Sequence, residues 1–254
     1  MAYVEITILS FILCLLILAY RKIRMIHIST YELMDKIGDV EIESKHLYGQ
    51  IQAYIDLKAL LALTQPLPRL RGWAASPDFL VEIAKHALKE KPNCIVECSS
   101  GASTIVLARC AQLSNTGHVF SLEHDARFAE ITRKNLKDCG LSDWATVVVA
   151  PLEPAGVDVA LDWYSSAGYA ALKDIDLLVI DGPPSKPNEL ARYPAIPEMI
   201  ERLTEDAAIF LDDANRSGEQ KIISSWLEDE RLILNRTIDL EKGGAEIRFR
   251  KNSA

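Results

Sequence analysis

The sequence lacks the cysteine pattern of a metal or disulfide framework. Its five cysteines (Cys14, Cys94, Cys98, Cys110 and Cys139) form no CxxC pair and no Cys/His cluster. They read as reduced core thiols in a reducing compartment, and a structural zinc site is not expected. A basic surplus is missing too: 28 Lys and Arg stand against 36 Asp and Glu, a net charge of −8. That argues against a general nucleic-acid binder, which needs cations to neutralise phosphates. No positive charge precedes the N-terminal apolar run and no small-residue cleavage site follows it, so a cleaved signal peptide is not expected. Internal repeats and low-complexity segments are absent. What remains is a chain of ordinary globular composition, with 254 residues to hold one large domain and an appendage.

The appendage is N-terminal. Ile6–Tyr20 is almost wholly apolar, and Arg21-Lys22-Ile23-Arg24 follows at once. With Tyr3 and Val4 added, and Glu5 at the headgroups, the run is just long enough for a single-pass anchor in the cell membrane. The charge on its C-terminal side then places the rest of the chain in the cytoplasm. A buried N-terminal helix is the competing reading. From Thr30 to Leu63, Ile37, Val40, Leu47, Ile51, Tyr54 and Leu61 recur at helical spacing. Ser44 and Lys58 interrupt that seam, so a stalk that packs on the domain, or pairs weakly with a second copy, is expected rather than a coiled coil. Pro66 and Pro68 end it. The expected organisation is therefore an anchor over 1–24, a stalk over 25–69 and an α/β domain over 70–254.

Within that domain, Ser76 and Pro77 open a helix over Phe79–Lys89. Trp73 reads either as a core aromatic or as a lid. Strands are expected at Cys94–Glu97, His118–Glu123, Ala145–Ala150, Ile175–Asp181 and Ala207–Leu211. Helices are expected at Ala102–Gln112, Ala126–Asp138, Ser165–Leu172, Glu189–Leu203 and Glu219–Glu228. Two further apolar runs, Leu232–Ile238 and Glu246–Arg250, are joined through Lys242-Gly243-Gly244 as an antiparallel hairpin. The fold class is thus α/β, a Rossmann-like and mostly parallel seven-stranded sheet with an antiparallel closing hairpin.

The small-residue turn Ser99-Ser100-Gly101 lies between the first strand and its helix, where backbone and helix N–H groups can approach a ligand. In such sheets ligands sit beyond the carboxyl ends of the strands. Four strands deliver acids there: Glu97, Glu123, Asp181 and the pair Asp212-Asp213. Glu123 falls about twenty residues past the turn, where an acid takes the hydroxyls of a ribose.

The ordered segments ECSSGAST, SLEHD, DLLVIDGPP, ARYPAIP and FLDDANR, with the closing hairpin, resemble the class I S-adenosylmethionine-dependent methyltransferases. The likeness runs from about Leu70 to Arg250 and is nearest to a bacterial group with ELGSGxST, VEHD, IDGPP and LDDxxR segments. It implies that Glu97 holds the methionine amino group and that Ser99, Gly101, Ser103 and Thr104 approach the methionine moiety. It also implies that Glu123, with His124 beside it, takes the ribose, and that the Ala150-Pro151-Leu152 turn lies near the adenine. Asp181 falls near the transferred methyl. Cys98-Ser99 departs from the usual Leu-Gly, and no Asn-Pro-Pro-Tyr segment is present, which counts against exocyclic base amines as acceptor.

Methyl transfer to a hydroxyl needs an aligned nucleophile and a base. Asp181, Asp212 and Asp213 read either as base and orienter or as ligands of a divalent cation, magnesium or calcium. Asp213 also reads as a helix N-cap, Arg216 as a surface partner of Glu219, and Arg192-Tyr193-Pro194 as a substrate-side turn or a helix kink. Trp163 and Tyr164 would line a pocket or cap the core. The acceptor, a small molecule or a membrane-associated one, is not named by the sequence. Two rival functions stand beside this one: an inactive membrane-tethered scaffold of the same fold, and a nicotinamide-dependent oxidoreductase. The second normally needs three glycines in the first turn, where this chain has one.

Overall fold

The computed structural model of the protein describes residues 2–70, 72–156, 161–186 and 188–251. The chain divides into two compact units, Met1–Gly49 and Gln50–Ala254. Helix α1 (Ala2–Leu61) is continuous through the expected anchor and stalk. Among the described residues, no helix is long and apolar enough to cross a membrane. The expected transmembrane helix is corrected accordingly: Ile6–Tyr20 provides 15 residues, short of the roughly 20 that a span requires. Tyr3 and Val4, which would lengthen the run, have side chains outside the described residues. Ile6, Leu9, Phe11, Leu13, Leu16 and Leu18 are all exposed, so this part of the helix has no polar face.

The second unit is built on a seven-stranded sheet. Its strands are β1 (Cys94–Cys98), β2 (His118–Glu123), β3 (Ala145–Val149), β6 (Ile175–Ile180), β7 (Leu203–Asp212), β8 (Leu232–Ile238) and β9 (Gly244–Phe249). They lie in the order β3-β2-β1-β6-β7-β9-β8. β1, β2, β3, β6 and β7 are parallel, and β9 enters antiparallel between β7 and β8. The closing hairpin is therefore as expected. A small two-stranded sheet, β4 (Leu152–Pro154) with β5 (Asp162–Tyr164), was not foreseen. Its strands are three residues each, too short for a periodic pattern to register.

Apolar residues cover both faces of the main sheet, because parallel strands are flanked on each side. On one face α2 (Pro77–Glu90), α3 (Ala102–Ser114) and α4 (Ala126–Asp138) pack, with Phe79, Ile83, Ile105, Leu107 and Leu136 buried among Ile95, Val119 and Leu177. Leu57 and Leu61, from the end of α1, join that cluster. Arg109 Nε donates to Leu61 O at 3.0 Å, and Gln50 Nε2 to Asp78 Oδ2 at 2.7 Å. Residues 50–61 thus pack on the domain, as one reading of the stalk held. The other face buries Trp163, Tyr164, Met199, Ile222 and Trp226.

Two helices fall short of expectation. Only a single 3-10 turn, Ser166–Gly168, forms in Ser165–Leu172. Glu189–Leu203 reduces to α5 (Ala195–Met199) and a 3-10 turn at Ile200–Arg202. Pro194 disfavours helix at the residue before it, so no helix can run through Arg192 and Tyr193. Leu203 instead begins β7, four residues before the expected start. The last helix, α6 (Ser217–Trp226), is capped at Arg216 rather than Asp213. Trp73 is neither core nor buried; it is 80% exposed.

Candidate active site

The strand order reverses between β1 and β6, so the loops after these strands diverge and leave a crevice at their carboxyl ends. Glu97 stands one residue before the end of β1 and is fully buried. Its Oε2 accepts from Thr104 Oγ1 at 2.6 Å, and Thr104 Oγ1 in turn accepts from Gly101 N–H at 2.9 Å. The first turn of α3 is thereby tied to both the strand and the loop. Among the described residues, Glu97 Oε1 has no hydrogen-bond partner. Burial pushes the Glu97 carboxyl up to about 7, against the opposing hydroxyls of Ser103, Thr104 and Ser121. An orphaned buried carboxylate oxygen is costly unless a donor arrives to meet it.

Ser99 holds the position after β1 at φ 97, a backbone region that suits glycine. Ser99 N donates to Leu122 O at 2.9 Å and Ser121 Oγ donates to Ser99 O at 2.7 Å, which fixes the loop in that conformation. Ser121, whose side chain is buried inside β2, escaped the sequence reading because a lone serine in a strand carries no signal.

Glu123 ends β2, again nearly fully buried. Its Oε2 accepts from Ser100 N at 3.1 Å and Ser100 Oγ at 2.8 Å; its Oε1 accepts from Asp125 N at 3.0 Å. His124 Nδ1 lies 3.1 Å from the same Oε1 and half-exposed, an ion pair once the ring is protonated. Burial raises the Glu123 carboxyl, but His124 and the N–H and O–H donors outweigh it and hold it below the usual range. Glu123 raises His124 in return. The turn at Ala150 sits beside this acid, with Ala150 N donating to Glu123 O at 2.8 Å.

The two halves of the crevice are joined. Asp181 N donates to Cys98 O at 3.2 Å. At Gly182 a Cβ would lie 2.7 Å from Tyr164 Oη and 2.8 Å from Ser99 Cβ, so only glycine permits this approach. Trp163 and Tyr164 both cap the core, and Tyr164 Oη is buried at the crevice without a partner among the described residues. The hairpin that delivers this hydroxyl was not legible in the sequence.

Asp181, Asp212 and Asp213 do converge, with one carboxylate oxygen from each lying within 4.8 Å of the others. The turn that carries Asp213 is buttressed by the closing hairpin: Ala214 N and Asn215 N donate to Gly243 O and Lys242 O, each at 3.1 Å. Gly243, at φ 74, lies so close to Asn215 that an added Cβ would stand 2.7 Å from its nitrogen. Asp213 is not a helix cap. Its Oδ2 accepts from Arg192 Nη2 at 2.8 Å and pairs with Arg216 Nη1 at 2.9 Å. Arg192, expected to shape a substrate surface or a kink, is instead buried inside the cluster.

Comparison with known proteins places this frame. Residues 96–214 match the family model of a methyltransferase domain. The SAH-bound methyltransferase PaMTH1 of Podospora anserina superposes with a TM-score of 0.58 at 14% identity, covering 78% of this chain and 88% of that one. An O-methyltransferase from Bacillus cereus in complex with SAH gives 0.54 at 16% identity, covering 78% and 91%. The O-methyltransferase TomG from Streptomyces achromogenes, in complex with SAM, gives 0.54 at 14% identity, covering 82% and 96%. The chain has the methyltransferase fold. A search of curated protein sequences returns no match.

The raised Glu97 carboxyl has a signed consequence. Between the usual carboxyl value of 4.5 and about 7, folded Glu97 keeps a proton that the unfolded chain has released, so ligand-free stability falls as pH rises through that window. Glu97→Gln removes the ionisation and should raise the midpoint of thermal unfolding at pH 8, with the gain vanishing near pH 5. Parallel melting curves across that range check it; a variant that is equally destabilised at both ends would refute the assignment.

Proposed function

We propose that the protein is a class I S-adenosylmethionine-dependent methyltransferase that acts on a hydroxyl. The observation that carries this reading is the unpartnered Oε1 of buried Glu97 at the end of β1, beside the small-residue loop and the ribose-type acid of β2. An ammonium group would complete that oxygen and draw the carboxyl back to its ionised form. Glu123 Oε2 already accepts from both Ser100 N and Ser100 Oγ, so the lone pair for a ribose hydroxyl is on Oε1, where Asp125 N is the one backbone donor and His124 stands beside it. The residues present therefore suit the cofactor, with Ser99 the one departure. S-adenosylmethionine supplies, when bound, an electrophilic methyl group on a sulfonium.

The chain's own residues then have three tasks. Glu97, with Thr104 behind it, holds an amino group; Glu123, steadied by Ser100 and Asp125, holds the ribose, with His124 at its open side. Asp181 stands at the end of the neighbouring strand and acts on the acceptor. Burial raises its carboxyl well above the usual range, Asp212 adds to this, and Arg192 opposes it. A carboxylate with a raised value is the better acceptor for a hydroxyl proton. Asp212, pushed up to about 6 by burial and by Asp213, orients it from β7.

The N-terminal run supports a second part of the reading, a membrane location without a span: Ile6–Tyr20 inserts its apolar surface into a cell membrane, with Arg21, Lys22 and Arg24 at the cytoplasmic headgroups. The acceptor is then a small molecule or a membrane-associated one reached from that side. What supports this is the apolar surface that Ile6, Leu9, Phe11, Leu13, Leu16 and Leu18 expose, which water does not favour. Deleting residues 1–20 should move the chain from the membrane fraction to the soluble one; quantitative solubility of the full chain would count against it.

Two variants separate binding from chemistry. Glu123→Ala should weaken SAH binding by about 1.5–3 kcal/mol, the range for a charge-assisted hydrogen bond. Asp181→Asn should abolish turnover while SAH affinity stays within about a factor of ten. Full turnover in Asp181→Asn would remove the cluster from the mechanism.

A further inference from the structure

The acid cluster resembles a divalent-cation site in its oxygens but not in its charge, because a guanidinium already lies within it. Arg192 is 3% exposed. Its Nη2 donates to Asp213 Oδ2 at 2.8 Å and to Asp181 O at 2.7 Å, and lies 3.5 Å from Asp181 Oδ1. Its Nη1 donates to Asp212 O at 2.9 Å and stands 3.6 Å from Glu219 Oε1. One planar fork therefore touches the ends of β6 and β7 and the first turn of α6. A second cation, Arg216, pairs with the same Asp213 oxygen from the half-exposed side at 2.9 Å.

The fork is held where it is. Pro194 prevents the segment from coiling into a helix, so Arg192 sits in a tight turn with Ala195 N donating to Arg192 O at 3.1 Å. Trp226 Nε1 donates to Tyr193 O at 2.9 Å. Gly218, in the first turn of α6, approaches so closely that an added Cβ would lie 2.5 Å from Glu189 O.

We propose that Arg192 is the cluster's resident counter-cation, standing where a divalent ion would otherwise sit, so that this site works without one. An ion could meet Asp212 Oδ2 and Asp213 Oδ1, which have no partner among the described residues, but only while lying a few ångströms from a buried positive charge that cannot be deprotonated. Repulsion at that range, in a largely buried site, outweighs what a hard cation gains from two or three carboxylates. Removing either partner would be expensive, since a buried charge would lose its match. Burial works against the charge on Arg192, but Asp181, Asp213, Glu219 and Asp212 together outweigh it and keep it positive. The guanidinium is a positioning residue: it fixes the two acid-bearing strand ends relative to each other and leaves Asp181 free to act.

The inference rests on the methyltransferase reading only for its catalytic consequence, and ion binding can be tested apart from it. Full-length protein is titrated with Mn²⁺ and followed by electron paramagnetic resonance, with SAH affinity measured on the same samples with and without chelator. Wild type should bind no stoichiometric ion up to about 1 mM, the weak end of oxygen-ligand sites, and chelator should leave SAH affinity unchanged. Arg192→Ala should gain one Mn²⁺ site at least roughly tenfold tighter than any in wild type, as expected when one buried positive charge is removed. Adding Asp213→Asn should abolish that gain. Arg192→Lys, which keeps the charge should the alanine variant not fold, should reject the ion as wild type does. One ion bound by wild type and lost in Asp213→Asn would overturn the inference, as would a folded Arg192→Ala that gains no site. Failure of SAH to bind would sink the methyltransferase reading and leave the ion result to stand by itself.

Discussion

A parallel sheet covered on both faces has one place to bring charge near a ligand, the rim beyond its carboxyl ends. Everything in this site follows from how six ionisable groups are kept there. Glu97, Glu123, Arg192, Asp212, Asp213 and Glu219 are all nearly or fully buried, a condition that costs several kcal/mol per group unless each is matched. Three solutions operate side by side. Glu123 is matched by N–H and O–H donors from the loops, Asp213 by the guanidinium groups of Arg192 and Arg216, and Glu97, Asp212 and Glu219 only in part. On the β1–β2 side the open oxygen of Glu97 is where a cationic ligand has most to offer.

The division has a functional logic. The β1–β2 side presents a carboxylate with an open oxygen and a loop of small residues, the requirements for a cationic, hydroxylated ligand. The β6–β7 side presents acids whose carboxyls are raised by burial and proximity, the requirement for accepting a proton near neutral pH. Gly182 lets the two sides touch, through Ser99 and the buried Tyr164 hydroxyl. A methyl donor held on one side and a hydroxyl activated on the other would meet between β1 and β6.

Much of this was legible in the sequence, for physical reasons. Strands of apolar residues ending in acids, each followed by a turn and a helix, specify a parallel sheet and the rim that carries its chemistry. The Lys242-Gly243-Gly244 link announced the closing hairpin. What could not be read were features made by three-dimensional closure. Arg192 looked like part of a helix or a surface turn because nothing local says that a lone arginine will be swallowed by distant acids. Three converging carboxylates in an apolar sheet nevertheless imply an internal cation, and that was the available signal. The hairpin of Leu152–Pro154 with Asp162–Tyr164 was too short to have a period. At the N-terminus hydropathy suggested a span, whereas among the described residues no helix is long and apolar enough to cross a membrane.

The central claim is that the β1–β2 rim binds an adenosyl amino-acid cofactor. Calorimetric titration of the full-length protein with SAH, repeated in two buffers of different ionisation enthalpy at pH 6, tests it most directly. With Glu97 raised to about 7 in the ligand-free protein, one SAH should bind per chain and close to one proton should be released, because the arriving ammonium ionises the carboxyl. NAD titrated under the same conditions should give no heat of binding. Stoichiometric NAD binding without SAH binding, or SAH binding with no proton released, would contradict the account.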